Sequence, residues 1–562
     1  MKKYNLLLAA AMLLLLFVLL FIGCDCQNED WVETATLDAD NVMVFNGIPQ
    51  ENGWGKDLVY QATSNTVGEW SMESPWLGGI PLVDIWSEQG GIALFNIAKQ
   101  HEPFTVQLTV ADSGAVTIKA KGGSNIIKFS HQGDYYEALR EFAQHMQKQG
   151  ITVQPSPDWS FDPVWETYGF EESWGPSTVT GMIPLLKELG IKTITFDSGW
   201  YGKGTDDWVA YAGDFPINPD VIGTEQDLID LIGTLHNEEF KVRLWWTPGV
   251  AEKDTQLYDD HPDWFYSKVT PSWGKSDDTG DWYLNPSLEE VRTWNKEIVQ
   301  RFIGYGADGF KQDDVYEISS DAIDIHREYS ALFKDIFTTA TSMKTDFVIN
   351  TCNCGLAQNI FDFPGENQII TSDPVGPLQF RRRAKYLHAL NLNGAAILGD
   401  HIELAEGDVG GDEISSSSWY ERISDADFAS TVALGMVLET KFRVDPGERY
   451  RKWFDLYAEY KFYKMEWVNI PYFPWNPLET YLMRDGSDLY FSFFAISEED
   501  GGYKEGNYTG NVELSNLEAG KTYSVYDIVN EEDLPSLTAT TDTQQYDVSF
   551  TGCLVIKVVK GP

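Results

Sequence analysis

Cysteine is scarce: five residues in 562. Cys24 and Cys26 close the first apolar run, Cys352 and Cys354 flank a single residue, and Cys553 stands alone. Cys352 and Cys354 are too close for an ordinary bridge to each other, and no even framework is present. Disulfides are therefore not the main staple of the fold. No second Cys or His pair stands at zinc spacing, which argues against a metal reading of Cys352-Asn-Cys354. Positive charge is also scarce, with 41 basic residues against 86 acidic ones and a formal charge of −45. A phosphate backbone would be repelled, so no nucleic acid is expected as a partner. The same charge favours solubility and carries no information about fold. Internal repeats are lacking, and the only low-complexity stretch is Ser415–Ser418.

One long apolar run exists, and it lies at the N-terminus. Met1-Lys-Lys3 is a basic start, Leu6 to Gly23 is almost unbroken apolar sequence, and Cys24 and Asp25 follow. A basic start, an apolar stretch and a small residue before the cut describe a secretory signal. Gly23-Cys24 resembles a bacterial lipobox, with Phe21 departing from the aliphatic residue usual there. The expectation is a signal peptide over 1–23, lipid on Cys24, and a body held outside the cytoplasm at a periplasmic or cell-surface membrane face. An uncleaved anchor is the rival, since this run is just long enough to span; a freely secreted form is the third reading. The membrane leaflet and the oligomeric state are not legible.

Length predicts several domains, because one core does not grow to this size. Residues 24–160 carry short β-like runs such as Val42–Phe45, Gly91–Phe95, Thr105–Val110 and Ala115–Ala120, then an amphipathic helix over Asp134–Gln149. This reads as an N-terminal β-sandwich-like domain with a linking helix. From 161 to 468 strand and helix patterns alternate, the signature of parallel β/α architecture. Strands are expected near 164–168, 192–197, 242–247, 308–313, 346–352, 368–373, 395–400 and 440–443. No Gly-rich phosphate loop follows any of them, which disfavours an open doubly wound sheet. Residues 469–562 return to antiparallel β, with Arg484-Asp-Gly-Ser487 as a hairpin turn. The fold class is thus α/β: a central (β/α)8 TIM-type barrel flanked by N-terminal and C-terminal antiparallel β domains.

Two acidic residues carry the chemistry. Asp313 and Asp373 close the expected fourth and sixth strands, in Phe310-Lys-Gln-Asp313 and Thr371-Ser-Asp373. Strand C-termini of such a barrel converge on one mouth, and alternate strands aim side chains into the same layer. Facing carboxylates are what glycosidic-bond cleavage needs, one to protonate the leaving oxygen and one to meet the cationic carbon. Lys311 lies two residues before Asp313, so both face the same way and Asp314 faces the other. Asp400, after the seventh strand, is a further candidate for the pocket. Aromatic content is 14%, with 20 Trp; sugar sites use aromatic faces, although large cores account for most such residues. The acidic loop Glu406–Glu413 reads as a solvated loop before it reads as a calcium site.

Several phrases resemble the clan that contains glycoside hydrolase family 36, the α-galactosidases or melibiases. They are Thr195-Phe-Asp197-Ser198-Gly-Trp200, Gly213-Asp-Phe-Pro216, Leu244-Trp-Trp246-Thr-Pro248, Tyr258–Trp264, Tyr283–Pro286, Phe310–Asp313 and Thr371–Asp373, in the family's order over about 165–400. The resemblance implies a retaining, exo-acting α-glycosidase on terminal α-galactosyl groups of oligo- or polysaccharides. Asp313 would be the nucleophile and Asp373 the acid/base. Asp197, Ser198, Trp200, Lys311 and Asp400 would contact sugar, Trp246 would supply an apolar wall (Trp245 being its rival for the inward place), and Cys354 would sit near the ring. Neither metal nor organic cofactor is required. Ser198 replaces the second Asp of the family's strand 2 pair, and the Gly-rich Arg phrase after strand 5 is absent. These departures leave open another sugar, such as N-acetylgalactosamine or glucose, or a non-catalytic glycan-binding lipoprotein.

Overall fold

Parallel strands need both faces covered, and here helices cover the outside of a ring while the chain fills its inside. The computed structural model describes residues 32–38, 42–48, 58–62, 67–71, 79–100, 102–111, 115–122, 125–168, 174–202, 211–252, 255–268, 281–313, 323–352, 358–372, 376–400, 402, 423–473, 476, 478–495 and 506–561. The barrel strands are β1 (Val164–Glu166), β2 (Thr193–Phe196), β3 (Lys241–Trp246), β4 (Gly309–Gln312), β5 (Val348–Thr351), β6 (Gln368–Ile370), β7 (Ala396–Gly399) and β8 (Val437–Thr440). They join in the order β5-β4-β3-β2-β1-β8-β7-β6, and each recorded pairing is parallel.

The ring closes between β5 and β6 without a strand ladder among the described residues. Amide side chains take its place. Asn367 accepts from the Ile349 amide (2.9 Å) and donates to the Phe347 carbonyl (2.9 Å), as a strand residue would. Gln358 Nε2 spans the gap, donating to Thr351 O (3.1 Å) and Ile370 O (2.9 Å). Buried backbone groups thereby keep partners where the ladder fails.

One strand lies earlier than its pattern suggests. The apolar stretch through Leu438 reads as a continuing helix, which moves the eighth strand to 440–443. The helix instead ends at Val432 and β8 begins at Val437. Gly435, at φ 74°, makes the break; a left-handed residue ends a helix, and glycine adopts it without a Cβ clash.

In the N-terminal region a four-stranded and a five-stranded antiparallel sheet form a sandwich. Val42, Val44, Val83, Ile85 and Leu94 meet Val106, Leu108, Val116 and Ile118 between them. The opposite face of the five-stranded sheet, with Met43, Phe45, Trp86 and Phe95, packs on the linking helix Tyr135–Gln147 through Tyr135, Leu139, Phe142 and Met146. Strand Val42–Asn46 is therefore buried on both faces. Asp134 caps that helix and ties three regions together. It accepts from Tyr136 N (3.2 Å), from Lys385 on the helix before β7, and from Tyr472 N (2.7 Å), which lies between strands Glu466–Val468 and Leu478–Asp485 of the C-terminal sheet. That sheet has six strands, and Asn507–Leu514 with Gln544–Thr551 forms a separate pair beside it. The expected hairpin is present, with Asp485 opposite Asp488 across Gly486 and Ser487.

Candidate active site

Strand β4 delivers the centre of the site. Gly309, Lys311 and Asp313 alternate onto the inner face. A Cβ on Gly309 would lie 2.6 Å from the Val348 carbonyl and 3.1 Å from Cγ of Arg243, so glycine leaves the interior to that arginine. Above it, the buried Lys311 Nζ donates to Glu166 Oε1 and Oε2 (3.2 Å each) and to Asp197 Oδ2 (3.0 Å). Half-buried Asp313 accepts from Trp245 Nε1 at 2.9 Å through Oδ2. Its amide donates to Trp246 O (3.1 Å). An indole donor and a backbone bond thus fix the rotation of this carboxylate at the mouth.

Hydroxyls set the neighbouring acids. Thr167 Oγ1 accepts from the Asp197 amide, and Thr371 Oγ1 from the Asp400 amide, both at 2.9 Å. The Ser198 amide donates to Asp197 Oδ1 at 2.8 Å. Tyr168, just past β1, lies under two cations: Lys311 Nζ is 5.7 Å and Lys441 Nζ 4.3 Å from its ring centre. Both are within cation–π range.

Beneath the mouth lies a polar core. Arg243 donates to Thr195 Oγ1 (2.9 Å), Gln368 Oε1 (2.7 Å) and Glu439 Oε1 (2.8 Å). Asn350 adds a bond to the same Gln368 oxygen (2.8 Å). Burial opposes the charge on Lys311, yet the carboxylates of Asp197 and Glu166, with Asp400 and Glu439 behind them, hold its pKa well above the usual lysine value. Burial, then repulsion from Glu439, pushes Glu166 well up, against the pull of Lys311. Burial also pushes Glu439 up to about 7, against Arg243 and Lys311. These directions describe one situation: four carboxyl groups crowd two cations, so the cations stay charged and a carboxyl retains its proton.

Of the residues singled out from sequence, Asp197, Lys311, Asp313 and Asp400 gather at the mouth, with Ser198 half-buried beside Asp197. Two expectations are corrected. Trp246 is fully buried against Phe215, Phe302 and Phe310, on the helix side of the sheet. It shares strand parity with Leu244, whereas Trp245 shares parity with Arg243 and takes the inward place. Trp200 is likewise fully buried, edge-on to Phe302 and Tyr201, and its Nε1 donates to Trp245 O (2.8 Å). It braces the Trp245 segment and presents no face to a ligand.

Asp373, Cys354, Cys24, Asp314 and the 406–413 loop lie outside the described residues. The chain leading to Asp373 is described. Ser372 is buried with φ 56°, a left-handed conformation uncommon outside glycine. Arg383 holds it, donating to Thr371 O (2.7 Å) and to Ser372 O. Glu166, Arg243 and Glu439 were not singled out from sequence. Glu166 stands on a correctly read strand, in phase with Tyr168, which was a usable signal. Glu439 was hidden because its strand was placed one residue beyond it.

Fold and mouth together define the class, a (β/α)8 barrel with acids at the C-terminal rim and β domains on both sides. Residues 161–402 match the Melibiase family model. The A type blood α-D-galactosamine galactosaminidase of Flavonifractor plautii is 25% identical over 93% of this chain and 49% of its own. The bifunctional α-galactosidase/sucrose kinase AgaSK of Mediterraneibacter gnavus is 32% identical over 18% of this chain and 10% of its own. The chain thus spans about half the length of the first relative, and its match to the second is short. Among solved structures, the family 36 α-galactosidase AgaA of Geobacillus stearothermophilus superposes with a TM-score of 0.63 at 15% identity, covering 93% of this chain and 76% of that one. The family 36-like α-galactosidase, or melibiase, superfamily is therefore what this chain resembles, in sequence over residues 161–402 and in fold.

Proposed function

We propose that this chain is a retaining exo-α-glycosidase that removes terminal α-galactosyl groups from oligo- or polysaccharides outside the cytoplasm. One observation carries the reading: Asp313 stands at the mouth of a melibiase-type barrel, oriented by the Trp245 indole and in phase with a Lys311 ammonium. In this reading Asp313 attacks the anomeric carbon, Asp373 protonates the leaving oxygen, and water activated by Asp373 releases the sugar from the enzyme. Lys311 and Asp197 bind ring hydroxyls. Lipid on Cys24 holds the body at the membrane face. Structures of that superfamily were obtained with raffinose and stachyose, which supports an oligosaccharide as substrate.

A second reading has a specific observation behind it. The relative that aligns over 93% of this chain is named a galactosaminidase, and Ser198 alters the strand 2 acid pair. A 2-amino or 2-acetamido galactoside is therefore the competing substrate. A panel of chromogenic α-glycosides separates the two, followed by proton NMR of the first-formed anomer. Asp313→Ala is expected to lower turnover by at least ~10³-fold on whichever glycoside is cleaved; near-normal turnover removes Asp313 from the mechanism.

A further inference from the structure

We propose that Glu166 and Glu439 hold a single proton between them inside the barrel, and that Glu166 is a positioning residue which aims the Lys311 ammonium at the mouth. The kinetic part of this inference rests on the glycosidase reading; the protonation part does not. The two residues lie on adjacent strands β1 and β8, with Val164 opposite Glu439 and Trp165 opposite Thr440. They are diagonal neighbours on the inner face, and both are fully buried. Both oxygens of Glu166 accept from Lys311 Nζ. Glu439 Oε1 accepts from Arg243, while its Oε2 is buried and has no hydrogen-bond partner among the described residues.

That asymmetry says where the proton sits. A buried carboxylate oxygen with no donor among the described residues is costly as part of an anion and far less so when protonated. Charged groups face the pair from several strands. Asp197 faces the pair from the end of β2, Arg243 from β3, Lys311 from β4 and Asp400 from the end of β7, while Lys441 beyond β8 is turned onto the Tyr168 ring. With every carboxyl of this group ionised, the buried interior around Arg243 and Lys311 carries excess negative charge at low dielectric. A proton on Glu439 leaves Glu166 as the anion beneath Lys311. The ammonium then stays between Glu166 and Asp197, at the level of the mouth. Loss of the proton makes the pair a dianion, which draws Lys311 downward and weakens its hold on a sugar. Burial pushes Glu439 up to about 7, so this loss belongs to the neutral range.

Infrared spectroscopy of the full chain tests the proton directly. The wild type is expected to show a buried protonated-carboxyl C=O band that fades as pH rises through about 7. Difference spectra against Glu439→Gln and Glu166→Gln should each lack it, because a lone carboxyl beside its cation ionises. A band that survives Glu166→Gln would mean that burial of Glu439 alone retains the proton, and a wild type without a titrating band removes the proton altogether; either result overturns the proposal. In kinetics, Glu166→Gln should raise KM ~10-fold or more with a smaller change in kcat, the mark of lost ground-state binding. Glu439→Gln should abolish the alkaline rise in KM. An unchanged KM for Glu166→Gln in a folded protein refutes the positioning role. If the wild type cleaves no α-glycoside, the glycosidase reading fails, and the infrared arm still decides the shared proton.

Discussion

Replacing Glu439 by Gln should stabilise this protein at alkaline pH, although it removes one partner of a fully buried ion pair with Arg243. In the unfolded chain Glu439 titrates at the ordinary 4.5; in the fold, burial pushes it up to about 7. A carboxyl raised by folding contributes stability that is fully present below its unfolded value and is lost as pH rises through its folded value. The gap of roughly 2.5 units, at ~1.4 kcal/mol per unit, makes that loss about 3.5 kcal/mol once Glu439 is ionised. Glutamine imitates the protonated carboxyl, keeps an acceptor for Arg243, and has nothing to lose as pH rises. The variant and the wild type should therefore unfold alike near pH ~4 and diverge by about 3.5 kcal/mol above pH ~8 in favour of the variant. Urea unfolding followed by tryptophan fluorescence across that range measures the difference. A variant weaker by ~3–5 kcal/mol at every pH, as when an ordinary buried ion pair is broken, would refute the electrostatic account of the barrel interior.

Trp245→Phe keeps the ring beside Tyr201, whose centre lies 6.0 Å from that of Trp245, and deletes the donor to Asp313. A hydrogen bond to a charged acceptor is worth ~1.5–3 kcal/mol, so kcat/KM should fall ~10-fold or more. A kcat/KM within about twofold of the wild type refutes the orienting role. Trp246→Phe should instead cost stability and leave kcat/KM in place, since that indole packs on the helix side of the sheet. At the barrel floor, burial alone would raise Asp308, but donors from His236 (2.8 Å), Lys344 and the Val242 amide (2.8 Å) hold it well below the usual carboxylate range. Its contribution is present above the ordinary aspartate pKa and lost as pH falls below it. Asp308→Asn should lower unfolding stability by ~2–4 kcal/mol at pH ~7 and by less in acid, and a loss of equal size at both pH values contradicts this.

Much of this architecture was legible because strand and helix carry different periods. Seven barrel strands fall within the ranges their patterns suggest or within a residue of them. The eighth was displaced by a backbone property, the left-handed turn at Gly435, that apolar spacing does not encode. Placement at the mouth was legible where chemistry and parity coincided, as for Lys311 and Asp313. They were misread where two like residues adjoin. Trp245 and Trp246 are the same letter, and only the register of β3 against β4, with Trp245 opposite Lys311, decides which one faces inward. The Glu166–Glu439 pair was hidden for another reason. Its members are separated by most of the barrel sequence, and only the parallel pairing of β1 with β8 brings them together.

The central claim is that the Asp313 carboxylate forms a bond to a sugar's anomeric carbon. A slow-turnover fluorinated α-galactosyl donor, incubated with the wild-type protein and followed by peptide mass spectrometry, reads that bond directly. The account predicts one glycosyl adduct on the peptide carrying Asp313, absent from Asp313→Ala. An adduct on a different carboxyl, or steady hydrolysis of α-galactosides by the Asp313→Ala protein, would contradict it.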